Sequence, residues 1–367
     1  MKKKILLSIW SDPCMYINLL FLINFFLKKK YEIILICKKI DKKEDFHYFV
    51  NKNKLIKIIE IKSEGKIGYL YFFKKKISII RSFKPDILFS FNFISLFFSF
   101  FVKKKKINWI YYNFDFNVTS KFNFNNFIEK IIIKKVDSIF LPSNSRANFY
   151  KRIFKVNKNI YSINNTFSKY FKIKQNKKIN KYNLFKKKYL VRIGSFYNYH
   201  YLEELIFSTN YWCKNYKLVI AGKSYGGYFE KLKNFIKKNR IKNVILIKNV
   251  SYELWFSLLK NAFAGFALYE PINVSHRFMG GTSQKLNNYI YANIPSIISK
   301  SYDNKKFNNK FKTSLLVSGN YKDIAKKTNF LIKNRIVYKK LKNNNNIAFL
   351  KEFNFEKQLN KVLKYII

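Results

Sequence analysis

Gly280-Gly281-Thr282-Ser283-Gln284-Lys285 carries more chemical potential than any other short stretch of this 367-residue chain, which holds only 10 glycines. Adjacent glycines allow a sharp turn and let a backbone approach a ligand closely. Thr282 or Ser283 can cap a following helix and present a hydroxyl, and Lys285 falls in that helix's first turn. A helix N-terminus has unpaired N–H groups and a partial positive charge, so this arrangement suits a phosphate. The same residues equally make an ordinary capped helix. They do not make a Walker loop, because the G-x-x-x-x-G-K-[ST] spacing is absent. The helix is expected to stop at Asn293, which tolerates left-handed backbone, with Pro295 blocking continuation.

A phosphate-binding turn needs a sheet edge to present it, and the flanking pattern supplies one. "KKKILLSIW", "YEIILIC", "LIKIIEI", "KPDILFSF", "KINWIYYN" and "VDSIFLPS" read as short buried strands, with helical stretches between them such as 65–83. From about residue 165 to 188 the chain turns Lys/Asn-rich and loses its apolar period, which marks a domain linker. The pattern then restarts. "KYLVRIGS" ends at Gly194, "YKLVIAG" ends at Gly222, and "NVILIKNV", "AGFALYE" and "PSIIS" follow. Helices are expected over about 201–213, 227–238 and "SYELWFSLLKNA", the last with Ser251 as N-cap. Strands alternating with helices give parallel sheets, so the fold class is α/β with two doubly wound Rossmann-like domains. The expected division is 1–170, 171–345 and a long terminal helix over 346–367 that returns toward the first domain.

The net charge of +53, from 73 Lys+Arg against 20 Asp+Glu, points to an anionic partner: nucleic acid, an acidic membrane surface or a phosphorylated substrate. Joint enrichment of Lys, Asn, Ile, Phe and Tyr is also what codon drift in an AT-rich genome produces, although drift accounts less well for the scarcity of acids. Only seven residues are Arg, the side chain suited to bidentate base readout, which argues against sequence-specific nucleic-acid binding. Cys14, Cys37 and Cys213 fit neither a disulfide framework nor a CxxC metal site, and His47, His200 and His276 are dispersed. A reducing cytosol is the simplest setting. The apolar runs at 17–27 and in "FISLFFSFFVKKKK" are too short to cross a bilayer. The second reads as a buried helix or as a membrane-surface helix with Phe in the interface and Lys on anionic headgroups.

The segment around Lys285 resembles the donor-site block of GT-B glycosyltransferases, close to family 4. That block runs Pro-x-Lys-Leu-(aromatic)-Glu-Tyr-Met-x-x-Gly-x-Pro-Val-Ile, and Lys285, Leu286, Tyr289, Pro295 and Ile297 stand in register with it. "RIGSFYNYHYLEELI" and the stretch from "KLVIAGKSYGG" to "AGFAL" resemble the family's C-domain element by element. "KPDILFS" and "VDSIFLPSNSRANF" resemble N-domain segments. The resemblance implies two Rossmann-like domains facing across a cleft and transfer of a sugar, with retention, from a nucleotide-sugar, UDP- or GDP-linked, to a glycan or lipid-linked acceptor. It also implies no cofactor and no metal, surface polysaccharide biosynthesis as the setting, and a cytoplasmic site, peripheral on the inner membrane face. Implied donor-binding residues are Arg192, Gly194, Gly280, Gly281, Thr282, Ser283, Lys285 and Asn288, with Arg192 and Lys285 on the pyrophosphate; His276 and Arg277, in the loop before Gly280, either supply one donor-phosphate contact or stand as exposed loop residues.

The departures are specific. Asn288 and Gly280 stand where the family has glutamates, Asn293 replaces its Gly, the expected Lys near His200 is missing, and Ser11-Asp12-Pro13 replaces the glycine-rich acceptor loop. Glu270, read as the end of "AGFALYE", and Asp115, at a strand end in "YYNFDFN", are the candidate catalytic carboxylates. Glu270 would contact a sugar hydroxyl or stand as a solvated loop acid, and Asp115 would orient the acceptor hydroxyl. Asp12 and His200 are candidate acceptor contacts. Catalysis would be electrostatic, with preorganised donors stabilising the departing nucleoside diphosphate. Rival readings are a nucleotide-sugar epimerase or hydrolase of the same fold, a non-catalytic relative that binds nucleotide or glycan, and a nucleic-acid binder supported by charge alone.

Overall fold

The computed structural model describes residues 2–114, 124–173, 184, 188–224 and 226–366. The chain divides into two compact units, residues 1–164 with 355–367, and residues 165–354.

The first unit runs β1 (Lys4–Ile9), α1 (Ile17–Lys28), β2 (Glu32–Lys38), α2 (Lys43–Phe49), β3 (Ile56–Ile61), α3 (Gly65–Phe83), β4 (Ile87–Phe91), α4 (Phe93–Val102), β5 (Asn108–Tyr112), α5 (Phe124–Ile132), β6 (Ser138–Leu141), α6 (Asn144–Phe154) and β7 (Ile160–Ser162). Its seven strands pair in parallel in the order β3-β2-β1-β4-β5-β6-β7. Strands covered on both faces are largely apolar: every residue of β4 is buried, and β1 is buried from its second residue on, with Ser90 and Ser8 the polar exceptions. The strand order reverses between β1 and β4, where doubly wound sheets bind ligands at the strands' carboxyl ends. The apolar run at 17–27 is α1, buried along nearly its whole length.

In the second unit β8 (Lys188–Ile193), α7 (Leu202–Ser208), β9 (Tyr216–Gly222), α8 (Tyr228–Lys238), β10 (Val244–Lys248), α9 (Tyr252–Lys260), β11 (Ala264–Ala267), α10 (Val274–Arg277), α11 (Gln284–Tyr291), β12 (Ser296–Ser299), α12 (Tyr302–Phe311), β13 (Ser314–Val317), α13 (Tyr321–Lys333) and α14 (Arg335–Lys351) follow. The sheet order is β10-β9-β8-β11-β12-β13, all parallel, and the reversal falls between β8 and β11. Its core gathers Leu190, Leu205, Leu218, Ile220, Phe266 and Ile297.

Two sequence expectations change. The expected linker is not free at its start: Thr166 and Phe167 are buried in the second unit, with Phe167 stacked on Tyr291 at 4.5 Å. The terminal segment is not one helix. α14 starts before 346 and ends at Lys351, and α15 (Phe355–Asn360) follows a break at 352–354 and belongs to the first unit. There Phe355 meets Phe21, and Tyr365 stacks on Tyr161 at 4.3 Å.

Lys76 on α3 is fully buried and, among the described residues, has no carboxylate partner. Its ammonium donates to Ser95 O (2.9 Å), Ser95 Oγ (3.3 Å) and Ser99 Oγ (2.5 Å), tying α3 to α4. Ser95 in turn donates to Ser8 O on β1, and Ser90 links Ser99 to the Trp109 indole. Burial pulls the Lys76 pKa well below its ordinary 10.5. Between the folded and unfolded values the unfolded chain binds one more proton, so this group makes stability rise with pH. Replacing it removes that slope. The unfolding free energy of Lys76→Met minus that of the wild type should therefore fall as pH rises toward 10.5, measured by urea unfolding at a series of pH values. A difference independent of pH would contradict the assignment.

Candidate functional site

The second unit concentrates its polar chemistry where its strand order reverses. Three segments meet there: the turn after β8, the turn after β11 and the start of α11. Ser283 is the cap of α11, accepting from Leu286 N at 3.3 Å, while Thr282 spends its hydroxyl on Phe278 O at 2.6 Å. Gly281 lies at φ +76° and forms the turn into the helix. Asn293 closes the far end at φ +55°, as its sequence position predicts.

Tyr289 fixes the height of α11 over the sheet. Its hydroxyl donates to Phe266 O at 2.8 Å, and its ring lies on Gly265 of β11, where an added Cβ would stand 2.4 Å from ring carbon. Gly265→Ala should therefore lift α11 and destabilise the fold by about 1–3 kcal/mol, seen as a lower melting temperature. An unchanged melting temperature would show that the ring can move aside at no cost.

Lys285, one turn before Tyr289, lies over Gly194. A Cβ on Gly194 would stand 2.6 Å from Lys285 Cε, and the glycine's φ of +128° suits no L side chain. The ammonium donates to Tyr269 OH at 3.2 Å and stands 4.7 Å from that ring's centroid. Tyr269 OH is 2.7 Å from Ser283 Oγ. Burial, and after it the Arg192 charge, hold the Lys285 pKa well below its ordinary value. Among the described residues Lys285 has no carboxylate partner. A buried guanidinium beside a part-buried ammonium, with no counter-ion among the described residues, forms a site suited to an anion.

Arg192 is placed differently from the sequence expectation. It is 1% exposed, and its guanidinium donates to Gly194 O (2.7 Å), Ser195 O (2.7 Å) and His200 Nδ1 (2.7 Å). Instead of reaching out to grip a pyrophosphate, it lies beneath the turn and shapes it. Guanidinium only donates, so His200 Nδ1 must accept and the imidazole carries its proton on Nε2. Burial first, then the Lys285, Arg192 and His276 charges, push the His200 pKa far down and keep the ring neutral. His200 packs edge-on to Tyr269 at 5.2 Å and lies 5.6 Å from His276, so this expected acceptor contact belongs to the Lys285 cluster.

Glu270 lies three residues beyond the end of β11, not on it. Its N–H donates to Tyr199 O, and its carbonyl, 2.9 Å from His276 Nδ1, holds that ring beside the cluster. Arg277 is exposed and bonds Pro271 O at 3.3 Å. Gly280 has no room for the family's glutamate: a Cβ there would stand 2.6 Å from Asp303 O, and its N–H already donates to Asp303 Oδ2 at 2.6 Å. Asn288 is fully buried, with its carboxamide between Gln284 O (2.9 Å) and the Trp255 indole N–H (3.3 Å). It points into packing rather than to an open ribose site.

The first unit has its own cleft, of about 640 Å³, at the β1/β4 reversal. Trp10, Tyr16, Tyr69 and Phe93 supply rings, Asn92 and Asn125 supply amides, and Glu129 stands in its wall. Asn92 holds φ +69° and ψ 165° while capping α4 through Ser95 N, a conformation costly for any residue but glycine. Glu129 Oε1 accepts from Tyr111 OH (3.0 Å) and Tyr150 OH (2.7 Å), and burial raises its pKa against those two bonds. None of these residues stood out in the sequence, because 40 Phe and 27 Tyr hide individual aromatic positions. Asp12 is 8% exposed and caps the turn after β1, with Oδ1 accepting from Cys14 N (2.9 Å) and Oδ2 from Asp41 N (3.4 Å). It holds this turn and is not among the residues that line the cleft. Asp115 lies outside the described residues.

Two parallel-sheet Rossmann-like units, the second with Arg192 and Lys285 at its strand reversal, are the elements of the GT-B architecture. A "Glycosyl transferases group 1" family model matches residues 174–348, and a "Glycosyl transferase 4-like" model matches 4–145. The chain belongs to the group 1 glycosyltransferases of GT-B fold. No curated protein matches the sequence at a significant level. Among solved structures, HepE of Anabaena, in complex with UDP and glucose, superposes with a TM-score of 0.76 at 12% identity, covering 99% of this chain and 98% of that one. Sucrose-phosphate synthase from Thermosynechococcus elongatus gives 0.74 at 12% identity, with 99% and 98% covered. A putative UDP-N-acetylglucosamine 2-epimerase from Listeria monocytogenes gives 0.66 at 13% identity, with 99% and 95% covered.

Proposed function

We propose that this chain transfers a sugar, with retention, from a UDP- or GDP-sugar bound in the second unit to a glycan or lipid-linked acceptor during surface polysaccharide synthesis. The observation that carries the reading is Lys285: an ammonium at a helix N-terminus, beside Arg192, with no carboxylate among the described residues to balance it. A diphosphate supplies the missing charge. As the bond from anomeric carbon to phosphate oxygen breaks, negative charge grows on the departing nucleoside diphosphate. Lys285 and the α11 N-terminus stabilise that charge without needing a metal ion. The acceptor hydroxyl forms the new bond to the anomeric carbon, and its proton passes to the departing phosphate oxygen. The relative HepE was solved with UDP and glucose, which supports a UDP-linked donor.

The acceptor half of the reading rests on the first unit's cleft. Rings such as Trp10 and Tyr69 suit the apolar faces of a sugar, and the Asn92 and Asn125 amides suit its hydroxyls. The departures at Gly280 and Asn288 favour a second reading, a relative that binds nucleotide without transfer. Incubation with UDP- and GDP-sugars and a panel of glycan and lipid-linked acceptors, followed by mass analysis, separates the alternatives. Transfer yields nucleoside diphosphate and an acceptor heavier by one sugar. Epimerisation alters the nucleotide-sugar with no acceptor present, and no turnover in a protein that binds nucleotide leaves the non-catalytic reading.

A further inference from the structure

The exposed large apolar side chains of the first unit are concentrated. Among the described residues, every one apart from Met15 and Tyr365 lies on α3, α4 or α5. On α3 they are Ile67, Leu70 and Tyr71, spaced as one helical stripe that continues into Lys74. On α4 they are Phe100 and Phe101, and Phe101 meets Phe73 of α3 at 6.3 Å. On α5 Phe124, Phe127 and Ile131 again recur at helical spacing. α4 packs beside both α3 and α5, so the three stripes share one face of the sheet. Leu70 is 60% exposed, Phe101 59% and Phe127 53%, far beyond the scattered single residues usual on a protein surface.

The charge around this face is predominantly positive, although exposed Glu64 caps α3 and exposed Asp137 pairs with Lys103. The three helices carry a single acid, Glu129, and it is buried. Exposed Lys66 and Lys74 flank the α3 stripe, Lys104, Lys105 and Lys106 follow α4, and Lys134 and Lys135 follow α5. Apolar rings at the centre with ammonium groups on long stems at the rim match the boundary between acyl chains and anionic headgroups. Among the described residues no helix is long and apolar enough to cross a membrane, so contact of this kind would lie on the surface.

We infer that the α3–α4–α5 face is a membrane-docking surface that rests on an anionic lipid bilayer, with Leu70, Phe101 and Phe127 entering the interface. The inference stands apart from the donor site, since it rests on a different unit and on different residues. Its partner is a lipid surface because the rim is predominantly basic and the centre is rich in aromatic rings. A second copy of this face would bring like charges together.

With a net charge of +53, attraction to anionic vesicles alone does not test the idea. The apolar contribution is isolated by salt, which screens the lysines and leaves the buried rings. The full chain is sedimented with vesicles of phosphatidylcholine alone and of phosphatidylcholine with phosphatidylglycerol, at low and at high salt. Leu70→Ser, Phe101→Ser and Phe127→Ser are tested singly and combined, with melting temperature confirming that each remains folded. The wild type should keep binding the anionic vesicles at high salt, and the combined variant should lose about tenfold or more of that salt-resistant partitioning. Three results overturn the inference: no binding to anionic vesicles, salt-resistant binding equal in wild type and combined variant, or a wild-type dimer that the substitutions dissociate without changing lipid binding.

Discussion

Lys285→Ala is expected to weaken nucleoside diphosphate binding by about 10- to 100-fold, since a hydrogen bond to a charged group is worth about 1.5–3 kcal/mol. The fold should survive. The side chain donates to a single partner, Tyr269 OH, and leaves no buried carboxylate behind. A pH signature accompanies the loss. Burial and the Arg192 charge hold the free ammonium's pKa down, and a bound diphosphate favours the protonated form. The complex therefore binds more protons than the free protein between the two pKa values. Affinity falls as pH rises through that window, and Lys285→Ala flattens the dependence. Calorimetric titration of UDP and GDP at several pH values reads both effects. Unchanged affinity in the variant would remove Lys285 from the phosphate site.

Arg192→Leu is expected to be the more damaging change to the fold. The guanidinium is buried and holds Gly194 O, Ser195 O and His200 Nδ1 at once. Burial pushes its pKa down to about 10, so it remains charged at neutral pH. A leucine leaves two carbonyls and an imidazole nitrogen without their donor, at a cost of about 2–4 kcal/mol. It also releases the His200 tautomer and the turn that seats Gly194 under Lys285. Denaturant unfolding should show the loss, and nucleotide affinity should fall although Arg192 itself does not reach the ligand. Arg192→Lys should restore little, because one ammonium cannot reproduce the planar fork. Full stability in Arg192→Leu would mean that water satisfies the turn as well as the guanidinium does.

The signals legible in the sequence were local ones. The helix at 65–83 keeps its expected bounds, Ser251 caps α9, and Asn293 takes the left-handed conformation read from Asn-Ile-Pro. Each follows from a residue and its near neighbours. Alternating apolar runs were enough for two doubly wound units, because strands buried on both faces must be largely apolar. Tertiary facts were not legible. That Arg192 lies under its turn, that Asn288 faces the Trp255 indole and that Asp303 fills the space at Gly280 all depend on partners far along the chain. α12 went unread because "YDNKKFNNKF" buries only Asp303, Asn304 and Phe307, which leaves almost no apolar period to detect. Asp12 was read as reaching a ligand because it is an acid near a strand end, whereas the turn after β1 uses its whole carboxylate.

The most direct measurement is thermal unfolding of the purified wild type and Lys285→Ala against UDP, GDP, ADP, CMP and their sugar conjugates. A ligand of the native state raises the midpoint by mass action. The donor-site account predicts a selective rise with one nucleoside diphosphate and its sugar conjugate, absent or strongly reduced in Lys285→Ala. No rise with any nucleotide in a folded sample, or an equal rise in the variant, would contradict it.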